Sequence, residues 1–302
     1  MTASHILVSG ATGATGHAAV EALHDTGNRV RALVHQDDAR ADALRELGAE
    51  IVLGDLLDID SVRAAMEGVN GAYFVYPIVP GLLDATAYFA QAAHEAGVGA
   101  IVNLSQRTAK RDSKSHAAQN HWIAERVFDW SGVPVTHLRP TLFAEWLSYP
   151  FAVGGVAEQD VLALPFGDGR FFPIAAHDQG RVIAAILTNP GEHAGKTYEL
   201  DGPVELDGNG LAAALSEALE RPIRYQPIPI ADFQSAVTAD PRLGTFFAQH
   251  IGAVTQDLQD GLLNVPAVTV EHFTGAAPMS VQDFVRANRN LFTPKQTTAV
   301  PA

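Results

Sequence analysis

Near its start the chain carries Gly10-Ala11-Thr12-Gly13-Ala14-Thr15-Gly16, three glycines spaced three apart. Glycine tightens a turn and lets backbone approach a bulky anion. A helix that begins at once behind such a turn offers unpaired N–H groups and the positive end of its dipole. The spacing is not GxGxxG, and a glycine triplet alone also occurs as a plain structural turn. Position gives this one weight: the apolar run His5–Ser9 precedes it and a helical period follows. Read this way, Gly10, Thr12, Gly13, Ala14, Thr15 and Gly16 cradle the diphosphate of a dinucleotide.

About 20 residues beyond the last glycine an acid would bind an adenosine ribose hydroxyl, and an Arg would accept a 2′-phosphate. That place falls on His35, with Arg31 on the same face, Asp37-Asp38 next, and Arg40 within a turn or two. The two carboxylates beside Arg31 and His35 tilt the expectation to NADH over NADPH. Asp55, with Leu56, ends the third apolar run and is placed for the adenine amino group; its other reading is a helix cap, a job that Asp58 and Asp60 already suit. Tyr76-Pro77 closes the fourth run, along which ribose and nicotinamide would lie.

These residues need rigid elements to bring them together. Apolar runs at His5–Ser9, Arg29–Val34, Glu50–Leu53, Ala72–Val75, Ala100–Leu104 and Val135–Leu138 alternate with helical periods at Gly16–His24, Ala39–Leu47, Ile59–Met66, Leu82–Ala96 and His116–Trp130. Repeated βα units predict an α/β fold, a Rossmann-type doubly wound parallel sheet whose strands are apolar because helices cover both faces. After Pro140, glycines and prolines break the chain into shorter pieces, read as a smaller α+β C-terminal lobe. Its expected helices are Asp178–Thr188, Gly210–Glu220 and Val281–Asn290, with extended pieces at Thr197–Leu200 and Ile223–Pro227. The division is 1–150 for the dinucleotide domain, its sheet open to completion by segments around 175–200, then 151–293 for the lobe and 294–302 for a tail.

Together these features resemble the NmrA-like branch of the atypical short-chain dehydrogenase/reductases. The resemblance rests on the glycine motif, Val30–Val34, Gly54-Asp55-Leu56, Leu104-Ser105, Glu125 with Ser131-Gly132-Val133, and Arg139-Pro140. It continues through Gly195–Pro203 and Phe273–Phe284. It implies an NAD(P) site and a cleft against the lobe, in a family of quinone, flavonoid and other aromatic reductases that also holds redox sensors. Many short-chain reductases use Tyr-xxx-Lys; set in that frame, this chain has Ala117 for the Tyr and His121 for the Lys. His121 then inherits ribose binding, proton donation or both, imidazole being able to donate near neutral pH; the bland alternative is an ordinary helix residue. Ser105, ending the fifth run, would either hydrogen-bond the substrate oxygen or merely terminate a strand, and His116 is a weaker catalytic candidate. Pro140, Thr141, Leu142 and Phe143 would pass beside the nicotinamide carboxamide.

Trp146, Tyr149, Phe151, Phe166, Phe171 and Phe172 concentrate aromatics in irregular sequence, although only 8% of the chain is aromatic. Aromatics are more often core than pocket, but the broken sequence around these favours a planar apolar substrate, with Trp146, Tyr149, Phe166 and Phe171 as its wall. With 34 acids against 20 bases, a net charge of −14, the chain repels nucleic acid and anionic membranes. It has no Cys, no zinc-type His pattern, no nucleophile elbow and no P-loop lysine, so no metal is expected and hydrolase and kinase chemistry fall away. The start lacks a signal-like segment, and cytoplasmic residence as a monomer or homodimer is the default expectation. Two functions follow: an NAD(P)H-dependent reductase passing hydride to a quinone or aromatic ketone, a polycyclic aromatic metabolite being one version, or a non-catalytic NAD(P)-sensing regulatory protein.

Overall fold

The structure is a computed structural model, described here over residues 4–241 and 243–294. Its elements run β1 (His5–Val8), α1 (Ala14–Asp25), β2 (Arg29–Val34), α2 (Ala39–Glu46), β3 (Glu50–Leu53), α3 (Ile59–Met66), β4 (Gly71–Phe74), α4 (Leu82–Ala96), β5 (Ala100–Leu104), α5 (His116–Trp130) and β6 (Val135–Pro140). Then follow α6 (Pro150–Gln159), β7 (Val161–Leu164), α7 (Ala176–Thr188), β8 (Thr197–Asp201), α8 (Gly208–Leu219), β9 (Arg224–Pro227), α9 (Ile230–Ala239), α10 (Gly244–Gln259), β10 (Val268–Thr269), α11 (Val270–Thr274) and α12 (Val281–Ala287).

Eight strands form one parallel sheet in the order β10-β8-β6-β5-β4-β1-β2-β3. The chain builds outward from β1 to β3, then returns to lay β4 on the other side of β1. The carboxyl ends of β1 and β4 therefore face loops that leave in opposite directions, and a crevice opens between them. Ser9, just past β1, spans this point: its hydroxyl accepts the Val75 N–H at 3.0 Å. One face of the sheet is covered by α1, α2 and α7, the other by α3, α4 and α5. Burial on both sides is why β4 is solvent-free at every residue while the edge strand β3 is not. Phe74, Phe89 and Phe128 meet with ring centroids 4.9–6.3 Å apart, fixing α4 and α5 against β4.

The expected helix Asp178–Thr188 and extended piece Thr197–Leu200 lie in the nucleotide-binding layers, not in the lobe: α7 packs on α1 and β8 pairs with β6. The α1–α7 contact is close enough that a Cβ on Gly180 would lie 2.4 Å from the Ala18 carbonyl carbon. The lobe is built from α6, α8, α9, α10 and α12 around the parallel pair β7–β9, with a second apolar core of its own. Of the tail expected over 294–302, residues 295–302 lie outside the described residues.

Candidate active site

The crevice widens into a cleft of about 670 Å³ that runs from the glycine turn to the wall of the lobe. Gly10, Thr12, Gly13, Ala14 and Thr15 line its floor. Helix α1 starts two residues earlier than its period suggested, inside the motif, and no side chain caps it. Its first-turn N–H groups thus remain for a ligand. Gly10 has φ +56°, and a Cβ there would meet Val75 Cγ1 at 2.6 Å; a Cβ on Gly16 would lie 2.2 Å from Gly10 O. Gly16 is accordingly a packing residue beneath the cradle and does not line the cleft. The Tyr73 hydroxyl donates to Thr15 Oγ1 at 3.0 Å and pins the cradle to β4. This backbone fits a dinucleotide diphosphate.

At the adenosine end the expectations divide. Arg31 is turned away: its guanidinium donates to Glu50 at 3.1 Å and to the carbonyls of Ala65 and Glu67 at 2.9 and 2.7 Å. It sits three residues before the carboxyl end of β2, so geometry removes it from any 2′-phosphate. His35 is exposed, 3.9 Å from the Asp55 carboxylate. Asp55 accepts the Leu57 N–H at 2.9 Å, while Asp58 caps α3; Asp55 and Leu56 stand outside the cleft lining. Arg40 does line it, its fork already paired with Asp38 at 2.6–3.2 Å. Tyr76 and Pro77 line the middle of the cleft.

At the far end lie Ser105, His121, Pro140, Thr141, Leu142 and Phe143. His121 sits on the second turn of α5, 5% exposed. Desolvation by burial pushes its pKa down to about 4, against a smaller opposing pull from Glu125. Burial thus works against the expected acid titrating near neutrality and favours the uncharged imidazole with one N–H. Its Nδ1 is buried without a partner among the described residues. Ala117 lies one turn earlier, buried, where no proton donor is possible. His116 is exposed, its backbone N–H donates to Gln249 at 3.1 Å, and it does not line the cleft. Glu125, fully buried, grips Arg139 at 2.6 and 2.8 Å and ties α5 to β6. Burial works to raise Glu125, yet hydrogen bonding to Arg139 and then Ser105 leaves its pKa lowered. The Ser105 hydroxyl, close enough to Glu125 to lower its pKa, has no partner of standard hydrogen-bond geometry among the described residues. Thr141 Oγ1 is likewise buried with no partner among the described residues, facing a cleft in which a bound group would supply one.

The expected aromatic wall splits in two. Trp146 and Tyr149 line the cleft, whereas Phe166 and Phe171 are 1% and 3% exposed in the lobe core, with Phe166 backing Trp146 at 6.1 Å. Broken sequence did not prevent regular burial, because residues 144–148 and 150–159 are helical and β7 pairs with β9. The rest of the wall comes from α10 and its flanks: Leu243, Phe247, His250, Val254 and Leu263. Sequence reasoning missed these, although Phe247, Ile251, Val254 and Leu258 repeat at helical spacing. Glu145 was missed too. One oxygen accepts the Ala176 N–H at 2.9 Å, the other is buried with no partner among the described residues, and burial raises its pKa. Among the described residues no cluster of metal-ligating side chains occurs, and no helix is long and apolar enough to cross a membrane.

Comparison with known proteins agrees with this layout. The chain is 31% identical over 293 residues to the NAD(P)H azoreductase of Xenophilus azovorans, covering 95% of this chain and 99% of that one. An NADPH-dependent quinone oxidoreductase of Escherichia coli, solved with NADPH, superposes with a TM-score of 0.81 at 26% identity, covering 94% and 100% of the two chains. The negative transcriptional regulator NmrA, solved with NAD, shares the fold at a TM-score of 0.78 and 18% identity, covering 95% of each chain. The family model described as NmrA-like matches residues 2–256. With the uncapped glycine cradle, the eight-stranded sheet and the match over most of its length, this chain belongs to the NmrA-like family.

Proposed function

We propose that this NAD(P)H-dependent oxidoreductase reduces a quinone or a related planar aromatic carbonyl compound in the cleft between its sheet and its lobe. The observation that carries the reading is continuity: one cavity joins the glycine cradle to an apolar wall of Trp146, Tyr149, Phe247 and Val254, with the polar residues His121 and Ser105 between. The cofactor supplies hydride. Gly10, Thr12, Gly13, Ala14 and Thr15 hold its diphosphate, and Tyr76, Pro77, Pro140, Thr141, Leu142 and Phe143 enclose its nicotinamide half. Trp146 and Tyr149 exclude water and stack the acceptor. Neutral His121 donates a hydrogen bond to the acceptor oxygen and does not surrender a proton. Quinones suit that arrangement, because hydride addition leaves a stabilised phenolate that takes its proton from water. The named activities of the azoreductase and the quinone oxidoreductase support the reductase reading.

The missing Tyr, with Ala117 in its place, favours a second reading, dinucleotide sensing without turnover. Oxidation of NADH and NADPH at 340 nm against a panel of quinones and aromatic ketones separates the two. The reductase reading expects turnover that falls at least ten-fold in His121→Ala while calorimetry shows cofactor binding retained. Tight cofactor binding with no turnover on any acceptor would overturn it in favour of sensing.

A further inference from the structure

His250 enters the cleft from α10, opposite the helix that carries His121, and no expectation from the sequence anticipated it. The residue is 6% exposed, and its Nδ1 lies 2.8 Å from the hydroxyl of Ser115. Ser115 is the N-cap of α5 and fully buried; its Oγ accepts the Ala118 N–H at 3.0 Å. The hydroxyl has one proton to place. Among the described residues the acceptor within hydrogen-bond distance is His250 Nδ1. If Nδ1 instead carried the hydrogen, Ser115 would accept twice and bury its own proton unpaired, which desolvation penalises. The cap therefore selects the tautomer: Nδ1 accepts and Nε2 bears the hydrogen. With Nδ1 held in the protein, the Nε2 edge is the one left to the cleft.

We propose that His250 is a substrate-anchoring residue, its Nε2–H donating to an oxygen of the aromatic acceptor, and that Ser115 is the positioning residue that fixes this donor. This rests on the proposed reductase reading and narrows its substrate class: the acceptor is an apolar plane carrying an acceptor oxygen at the edge that meets α10. Burial, with a smaller repulsion from His121, holds the His250 pKa down at about 3, so the donor stays uncharged at neutral pH. An unpaired N–H there is costly unless an oxygen meets it, which sets the site against oxygen-free hydrocarbons of the same outline.

The test is calorimetric titration of the NADP⁺-saturated protein, where no turnover is possible, with 1,4-naphthoquinone and with 1,4-dimethylnaphthalene. The wild type should bind the quinone at least ten-fold more tightly than the hydrocarbon. His250→Phe should abolish that preference, His250→Gln should restore part of it, and Ser115→Ala should lower it several-fold, with NADP⁺ affinity unchanged in all three. An undiminished preference in His250→Phe, or in His250→Gln and Ser115→Ala together should the Phe variant not fold, would overturn the proposal, as would no quinone binding by the wild type. Quinone binding without oxidation of either NADH or NADPH in a separate assay would sink the reductase reading and leave the anchor intact.

Discussion

Arg40 stands on the cleft wall with its guanidinium fork filled by Asp38, and Arg45 beside it is taken by Asp37. A 2′-phosphate arriving there would have to compete with a carboxylate for Arg40, so among the described residues the arginines of the adenosine end are already paired and NADH is the expected preference. Asp38 does two jobs, because the carboxylate that pairs with the Arg40 guanidinium also accepts the Arg40 backbone N–H and so caps α2. Serine retains the capping oxygen and removes the charge. Asp38→Ser should therefore free Arg40 without unravelling α2 and improve NADPH over NADH in kcat/KM by roughly ten-fold, the worth of about one charge-assisted hydrogen bond. Steady-state kinetics with both cofactors checks this. An unchanged ratio would mean that Arg40 does not reach the ribose.

At the scale of elements, two helix glycines separate binding from stability. A methyl on Gly16 would lie 2.2 Å from Gly10 O and 2.8 Å from Ala11 Cα, so Gly16→Ala must open the turn that α1 builds on. A methyl on Gly180 would meet Ala18 backbone at 2.4–2.5 Å and prise α7 from α1 without touching the cradle. Gly16→Ala should weaken dinucleotide binding at least ten-fold. Gly180→Ala should cost about 1–3 kcal/mol of stability by overpacking and lower Tm by several degrees, with a smaller effect on binding. Thermal melts and cofactor calorimetry on both variants decide it; equal binding losses would contradict the division. The elements most legible in the sequence are those whose periodicity is strong and local. The six expected strands and the helices between them recur within one or two residues, because a parallel sheet buries apolar runs on both sides. Strand β8 falls within the segments around 175–200 left open to complete the sheet, but its exposed first residues give its sequence no unbroken apolar run, and β10 has two residues, too few for any pattern. The glycine cradle was legible since it is local in sequence. His250 and Phe247 were not, because their place in the cleft depends on α10 crossing α5 from 130 or so residues away, a relation no local spacing encodes.

Over the whole molecule, the burial that keeps the cleft histidines neutral sets its acid tolerance. His121 and His250 have folded pKa values pushed down to about 4 and about 3, by desolvation first in each case. In the unfolded chain both titrate near 6.5. Depressed values mean that the unfolded state binds more protons, so their stability is fully present above about pH 6.5 and is lost as pH falls toward 4. At roughly 1.4 kcal/mol per unit and per group, the loss reaches several kcal/mol by pH 4.5. Carboxyls raised by burial run the other way, Glu145 and Asp257 as well as Asp201, and so does the falling net charge. Asp201, raised to about 6 chiefly by burial, takes its proton more readily folded than unfolded and so gains stability as pH drops from about 6 to below 4. The net charge of −14 also shrinks toward the isoelectric point near 5.2, easing self-repulsion. None of these effects depends on the histidines, so a double variant isolates their share. In urea unfolding followed by Trp fluorescence at pH 7.0, 5.5 and 4.5, the wild type should lose stability steeply, and His121→Gln/His250→Gln should lose several kcal/mol less across the same interval. Parallel pH slopes in the two proteins would show that the pair is solvated or charged in the folded state. The uncharged donors on which the anchoring of an aromatic carbonyl depends would then be gone as well.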